Sequence, residues 1–131
     1  MNKRIIIIIV VILVLCVLLF FGIKVKPVKE NGKLLFDFLN QEEFDTENIE
    51  SVEYIRYTEG GDNTITYTDS DNIKSMYNSV KNIRVGKETN RACEDNTTVY
   101  IFNMKDNTQF KVEIECDWVV IGNKRYNIVK D

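Results

Sequence analysis

The sequence predicts an N-terminal transmembrane helix followed by one small α+β domain: an antiparallel sheet of about five or six strands with one main amphipathic helix, in the order β-β-α-β-β-β-β. Three observations predict it. Residues 5–23 read IIIIIVVILVLCVLLFFGI, nineteen in a row without a charge. Ile73, Met76, Tyr77, Val80 and Ile83 recur at the spacing of one helical face. The other apolar residues fall in short alternating runs joined by turns, and consecutive short-turn hairpins force antiparallel pairing.

Taken in order, residues 1–4 form a short basic leader with Lys3 and Arg4. As a helix, residues 5–23 reach roughly 28 Å at about 1.5 Å per residue, close to a hydrocarbon core of about 30 Å. In lipid, every backbone group of a single spanning segment must be satisfied within the helix. Phe20, Phe21, Gly22 and Ile23 stand where a cleavage site needs small residues. Cys16 follows Leu15 and not the small residue that precedes a lipidated cysteine. The segment is therefore expected to be an uncleaved signal anchor. A Lys/Arg count, two before the helix and four in the residues after it, favours a cytoplasmic domain. The layout of the leader resembles a signal-peptide n-region, and moving its charges across the bilayer is costly. The expected location is thus the plasma membrane, single-pass, with the domain extracytoplasmic.

Residues 24–33, KVKPVKENGK, read as a juxtamembrane linker. Residues 34–131 are expected to form the α+β domain. Leu34, Leu35, Phe38 and Leu39 mark a short helix within residues 34–44. Residues 51–58 and 64–68 make a hairpin across Gly60-Gly61-Asp62. Thr68 or Asp69 caps the main helix, which is expected to end near residues 84–86 with Gly86 as its C-cap. A polar loop then covers residues 87–96. Residues 97–104 and 109–116 pair around Lys105-Asp106-Asn107-Thr108, and residues 118–121 and 125–129 pair around Gly122-Asn123.

The succession ESVEYIRYT, a glycine turn, NTITYTDSDNI opening a helix, a hydrophobic hairpin around KDN and the closing GNKRYNI covers residues 49–131. In this it resembles small uncharacterised membrane-anchored or lipoprotein-type extracytoplasmic domains of low-GC Gram-positive bacteria. The resemblance implies fold and location only, since no activity is established for those domains.

Composition excludes several chemistries. Residues 34–131 hold 11 basic against 19 acidic side chains, a net −8, which repels nucleic acid. The absence of histidine removes Ser-His-Asp and Cys-His catalysis and every histidine metal site. Gly60-Gly61 is not followed by the G-K-[ST] of a phosphate loop. Asp69-x-Asp71-Asn72 lacks the later ligands and the glycine of a calcium loop, so capping explains it better. Glu113, Glu115 and Asp117 lie two apart, a pattern expected of a solvated strand face. No cofactor, metal or catalytic residue is expected.

The function expected is a membrane-tethered, non-catalytic binding or accessory module at the cell envelope, contacting an envelope protein or polymer. The alternatives are a cytoplasmic-facing membrane regulator and a carboxylate-dependent envelope enzyme. Two features mark candidate sites. Pairing of Cys93 with Cys116 would close a loop of about 23 residues and contribute roughly 3 kcal/mol; otherwise they are two separate small apolar residues. In residues 97–104, Val99 and Ile101 point one way and Tyr100, Phe102 and Met104 the other. A two- or four-residue turn pairs Ile101 with Val112, whereas a three-residue turn with Asn107 left-handed pairs Phe102 with Val112 and reverses the faces. Trp118 and Val120 likewise oppose Val119 and Ile121. Either the main helix covers one face and residues 34–44 the other, or Tyr100, Phe102 and Trp118 form an exposed partner-binding face.

Overall fold

The computed structural model describes residues 2–20, 32–93 and 96–130, with side chains described from residue 2 to 14 in the first of these segments. Residues 21–23 of the expected anchor and residues 24–31 of the expected linker lie outside the described residues, as does the side chain of Cys16. The first helix, α1, runs Lys3–Phe20. Its charge-free part is the sixteen residues from Ile5, about 24 Å at 1.5 Å per residue, against a hydrocarbon core of about 30 Å. Among the described residues no helix is long and apolar enough to cross a membrane. This corrects the expected transmembrane helix, and with it the single-pass plasma-membrane location and the signal anchor.

The domain is an antiparallel sheet of eight strands, not five or six. The strands are β1 (Lys33–Leu34), β2 (Ile49–Thr58), β3 (Gly61–Tyr67), β4 (Arg84–Thr89), β5 (Thr97–Met104), β6 (Gln109–Glu115), β7 (Trp118–Ile121) and β8 (Lys124–Ile128). Their spatial order is β1-β4-β8-β7-β6-β5-β2-β3. Two short α-helices, α2 (Leu35–Phe38) and α3 (Ser70–Lys81), and a 3-10 turn at Thr46–Asn48 complete the domain among the described residues. Strand β4 replaces the start of the expected polar loop. Its sequence RVGKET buries only Val85, so no alternation announced it. It is a strand because β8 pairs with it, Val85 opposite Ile128 and Thr89 opposite Arg125. Gly86 accordingly sits inside this strand instead of capping α3, whose C-cap is Asn82. The two-residue β1 then shields the outer edge of β4. Gly32 makes that approach possible: its φ is +57°, and a Cβ there would meet Val129 and the Val85 carbonyl at 3.0 Å.

Register decides which side chains meet. At the β5–β6 turn, the Met104 N–H donates to the Thr108 carbonyl at 2.9 Å and Asn107 takes φ +69°. The three-residue loop thus has Asn107 left-handed, and it pairs Phe102 with Phe110 and Tyr100 with Val112. Phe102 and Val112 share a face as that turn requires, though they stand two residues apart on the ladder and not opposite. On β2 a bulge at Glu50 shifts the parity by one, so Ile49 and Val52 both reach the same buried side.

Both helical segments pack on that one side. Phe36 stacks on Phe110 with ring centroids 5.4 Å apart and lies 5.8 Å from Tyr77. Phe44 meets Phe110 edge-on at 5.1 Å, and its N–H donates to the Tyr77 hydroxyl at 2.8 Å. Ile73, Tyr77 and Val80 of α3 join the same cluster as Leu35, Phe36, Val52, Phe102, Val112 and Val119. The expectation that residues 34–44 fold over the opposite face is therefore corrected. Helix α2 is a single turn whose adjacent Leu35 and Phe36 are both buried, so it wedges beside α3 and does not present a stripe to a second surface.

Asp69 caps α3, accepting the Asn72 N–H at 3.0 Å and the Asn72 side-chain amide at 2.9 Å. The Asn72 side chain first, and its backbone N–H second, hold the Asp69 carboxyl below its ordinary value of 3.8. A carboxyl depressed by folding stabilises fully above its ordinary value and loses that contribution as pH falls through the folded one. Asp69→Ala is expected to lower the thermal midpoint at pH 7, with the gap to the parent closing as the pH is taken below 3.8. A gap that stays constant down to pH 2 would contradict the capping role.

Candidate functional site

Among the described residues α2 and α3 both pack on one side of the sheet and no helix packs on the other, the open side. Its side chains follow from the register. One row runs Thr64, Ile55, Val99, Glu113, Val120 and Arg125 across β3, β2, β5, β6, β7 and β8. A second runs Tyr57, Thr97, Glu115, Trp118 and Asn127. A third holds Glu53, Ile101 and Lys111. Directly opposed side chains on such a face have Cβ atoms about 4.5–5.5 Å apart. Ile55, Val99, Ile101, Trp118 and Val120 therefore form an apolar zone of half-buried side chains, with Tyr57 exposed at its edge.

Polar contacts order this face. The Arg125 Nε donates to a Glu115 carboxylate oxygen at 2.6 Å, reaching from β8 over β7 to β6 beside Trp118. Hydrogen bonding and charge from Glu115 push the Arg125 guanidinium further up from its already high value, so it stays a cation. At another margin of the face, the Gln109 side-chain amide donates to Asn103 at 2.8 Å, and Asn103 donates to the Ser51 hydroxyl at 3.1 Å.

The sequence-predicted residues divide between the two sides. Trp118 stands on the open face, half-buried. Phe102 has no exposed surface and lies edge-on to Tyr77 at 6.2 Å, inside the core. Tyr100 shares the core side with Phe102 and packs edge-on against Tyr54 at 5.2 Å. Burial, and then the neighbouring Tyr54, push the Tyr100 phenol up from its ordinary value. The expected face of Tyr100, Phe102 and Trp118 is thus not one surface. The turn parity put Phe102 in the core, and Trp118 is joined instead by Ile55, Val99, Ile101 and Val120. The alternation of ESVEYIRYT, with Ile55 and Tyr57 on the side away from Val52, was the available signal for the missed residues.

Cys93 and Cys116 are joined by a disulfide, with Cα atoms 6.1 Å apart. Cys116 also donates its N–H to the Asn96 carbonyl at 2.9 Å, so the bridge and this bond together hold the chain before β5 against the β6–β7 turn. Neither cysteine is buried, which sets aside the reading of two core residues.

Several of the clustered carboxylates are engaged. A cleft of about 610 Å³ at the β5–β6 turn is lined by Glu43, Asp45 and Asp106 among others. Glu43 pairs with Lys81 at 3.2 Å, Asp45 caps the short turn of helix Thr46–Asn48, and Asp106 accepts both the hydroxyl and the N–H of Thr108. The Thr108 side chain, then its N–H, hold the Asp106 carboxyl below its ordinary value, the opposite of what a general acid needs. Of the three carboxylates two apart, Glu115 pairs with Arg125 and Asp117 with Lys130 at 2.6 Å. Among the described residues no group of three or more His, Cys, Asp or Glu is placed to hold a metal.

Comparison with protein-family models, with curated proteins and with solved structures gives no match to this chain.

Reducing the Cys93–Cys116 bridge, or replacing both residues with serine, is expected to cost roughly 3 kcal/mol by the loop-entropy relation for its 23-residue separation. Urea unfolding with and without reductant measures it. Coincident midpoints would show that the bridge adds nothing.

Proposed function

We propose that the domain is a non-catalytic binding module and that its contact surface is the open face of the sheet. The observation that carries this reading is the apolar zone of Ile55, Val99, Ile101, Trp118 and Val120 on the side from which both α2 and α3 are absent. Aromatic and aliphatic side chains gathered on one uncovered face are what a protein contact surface requires. On strands β2, β3 and β5 to β8, Glu53, Asp62, Glu113 and Glu115 share this side with Lys111 and Arg125, and Arg125 is held by Glu115. The partner that fits is a protein with an apolar centre and a cationic rim. Nucleic acid does not fit, because it would meet acidic side chains around an apolar zone. The engagement of Glu43, Asp45, Asp106, Glu115 and Asp117 supports binding over carboxylate-dependent catalysis.

Site-specific photo-crosslinking in the native cell tests the reading. A photoreactive residue at position 101, on the open face, is expected to form a discrete adduct with one protein, and the same residue at position 79, on the solvent side of α3, is not. Adding Trp118→Glu to the chain labelled at 101 is expected to reduce the adduct at least tenfold. No adduct from position 101, or one indifferent to Trp118→Glu, would overturn it.

A further inference from the structure

We infer that β3 is a pairing edge for a second copy of this chain. The two edges of the sheet are treated differently. At one, the two-residue β1 covers β4. At the other, the seven-residue β3 ends the sheet with its outer backbone groups free of any strand among the described residues, and its residues from Gly61 to Thr66 are exposed. Natural edge strands are commonly blunted by lysine, proline, a bulge or shortness. GDNTITY has none of these, and it pairs with β2 without a register shift.

The side chains of β3 are complementary to themselves. Ile65, 44% exposed, and Tyr67 lie on the helix-bearing side beside Tyr54 and Val52, while Thr64 and Thr66 lie on the open side. In an antiparallel ladder centred on Ile65, each Ile65 meets its own symmetry mate, Thr64 meets Thr66, and Asn63 meets Tyr67. The flanking rows then run Glu53, Thr66, Thr64, Ile55 on the open side and Val52, Tyr67, Asn63, Arg56 on the other, so no acidic side chain faces another. The only charged residue of β3, Asp62, is carried to the ends of the ladder, with its two copies about 20 Å apart at roughly 3.4 Å per residue. Such an isologous contact closes after two copies and does not propagate. Its two-fold axis is perpendicular to the sheet, so the two sheets join into one and both open faces look the same way. The pairing concerns the edge strand alone and stands whether or not the open face binds a partner.

Cysteine crosslinking of the full chain in a Cys16→Ser background tests it. Ile65→Cys removes an exposed side chain and places two thiols at the ladder centre, where opposed Cβ atoms lie about 4.5–5.5 Å apart. Mild oxidation is expected to link most of the Ile65→Cys chains as a species of twice the chain mass, and to leave Asp62→Cys unlinked. Absence of that species from Ile65→Cys, equal linkage from both positions, or an adduct of any other mass, as a foreign strand on β3 would give, overturns the pairing.

Discussion

Phe36 and Tyr77 resting on Phe102 and Phe110 is the contact on which the rest of the domain depends. A one-turn helix and a three-turn helix are too short to be stable alone, since most helical stability in proteins comes from burying an apolar face. Here both find that face on the same pair of strands. Phe36 reaches it from α2, and Tyr77 from α3. The bond from the Phe44 N–H to the Tyr77 hydroxyl then satisfies a polar atom at the rim of the cluster and fixes the chain between α2 and β2 against α3. Burial pushes the Tyr77 phenol up from its ordinary value, the consequence of seating it among aromatic rings. With both helical segments seated on one side and, among the described residues, none on the other, the open face is a result of this seating and not an independent feature.

The side that becomes core is chosen by a turn. Side chains alternate along a strand, so a one-residue change in loop length between β5 and β6 would exchange every inward and outward position. Asn107 in the left-handed region closes a three-residue loop, braced by Asp106 accepting both hydrogens of Thr108. That loop sends Phe102, Phe110 and Val112 inward and Val99, Ile101 and Lys111 outward. The bulge at Glu50 makes the matching correction on β2, bringing Ile49 as well as Val52 to the core.

What was legible in the amino-acid sequence follows from how local each feature is. Helix α3, its Asp69 cap, the β2–β3 hairpin and the β5 to β8 meander depend on periodicity and turn residues within a few positions, and these were readable. Strand β4 was not, because Val85 is its one buried residue and its pairing with β8 spans some forty positions. The placement of α2 beside α3 was equally hidden, since Leu35 and Phe36 are adjacent and suggest no facing surface. The apolar run at the N-terminus pointed to a spanning helix through its composition, but the helical residues described are too few for that length. Of the residues expected to share a partner face, Trp118 lies on the open side, whereas Tyr100 and Phe102 lie on the core side, decided by a turn whose sequence allowed either parity. Val99 and Ile101 were recognised as sharing a face, though their neighbours on β2 and β7 required the register.

A sheet with a one-sided core makes adjacent residues of β5 unequal, and urea unfolding of Phe102→Ser beside Ile101→Ser measures that inequality most directly. A one-sided core predicts a loss of about 3–5 kcal/mol or more for Phe102→Ser, from the cavity and the polar group left in the aromatic cluster, and of less than about 1 kcal/mol for Ile101→Ser on the open face. Equal losses, or a larger one at Ile101, would contradict it.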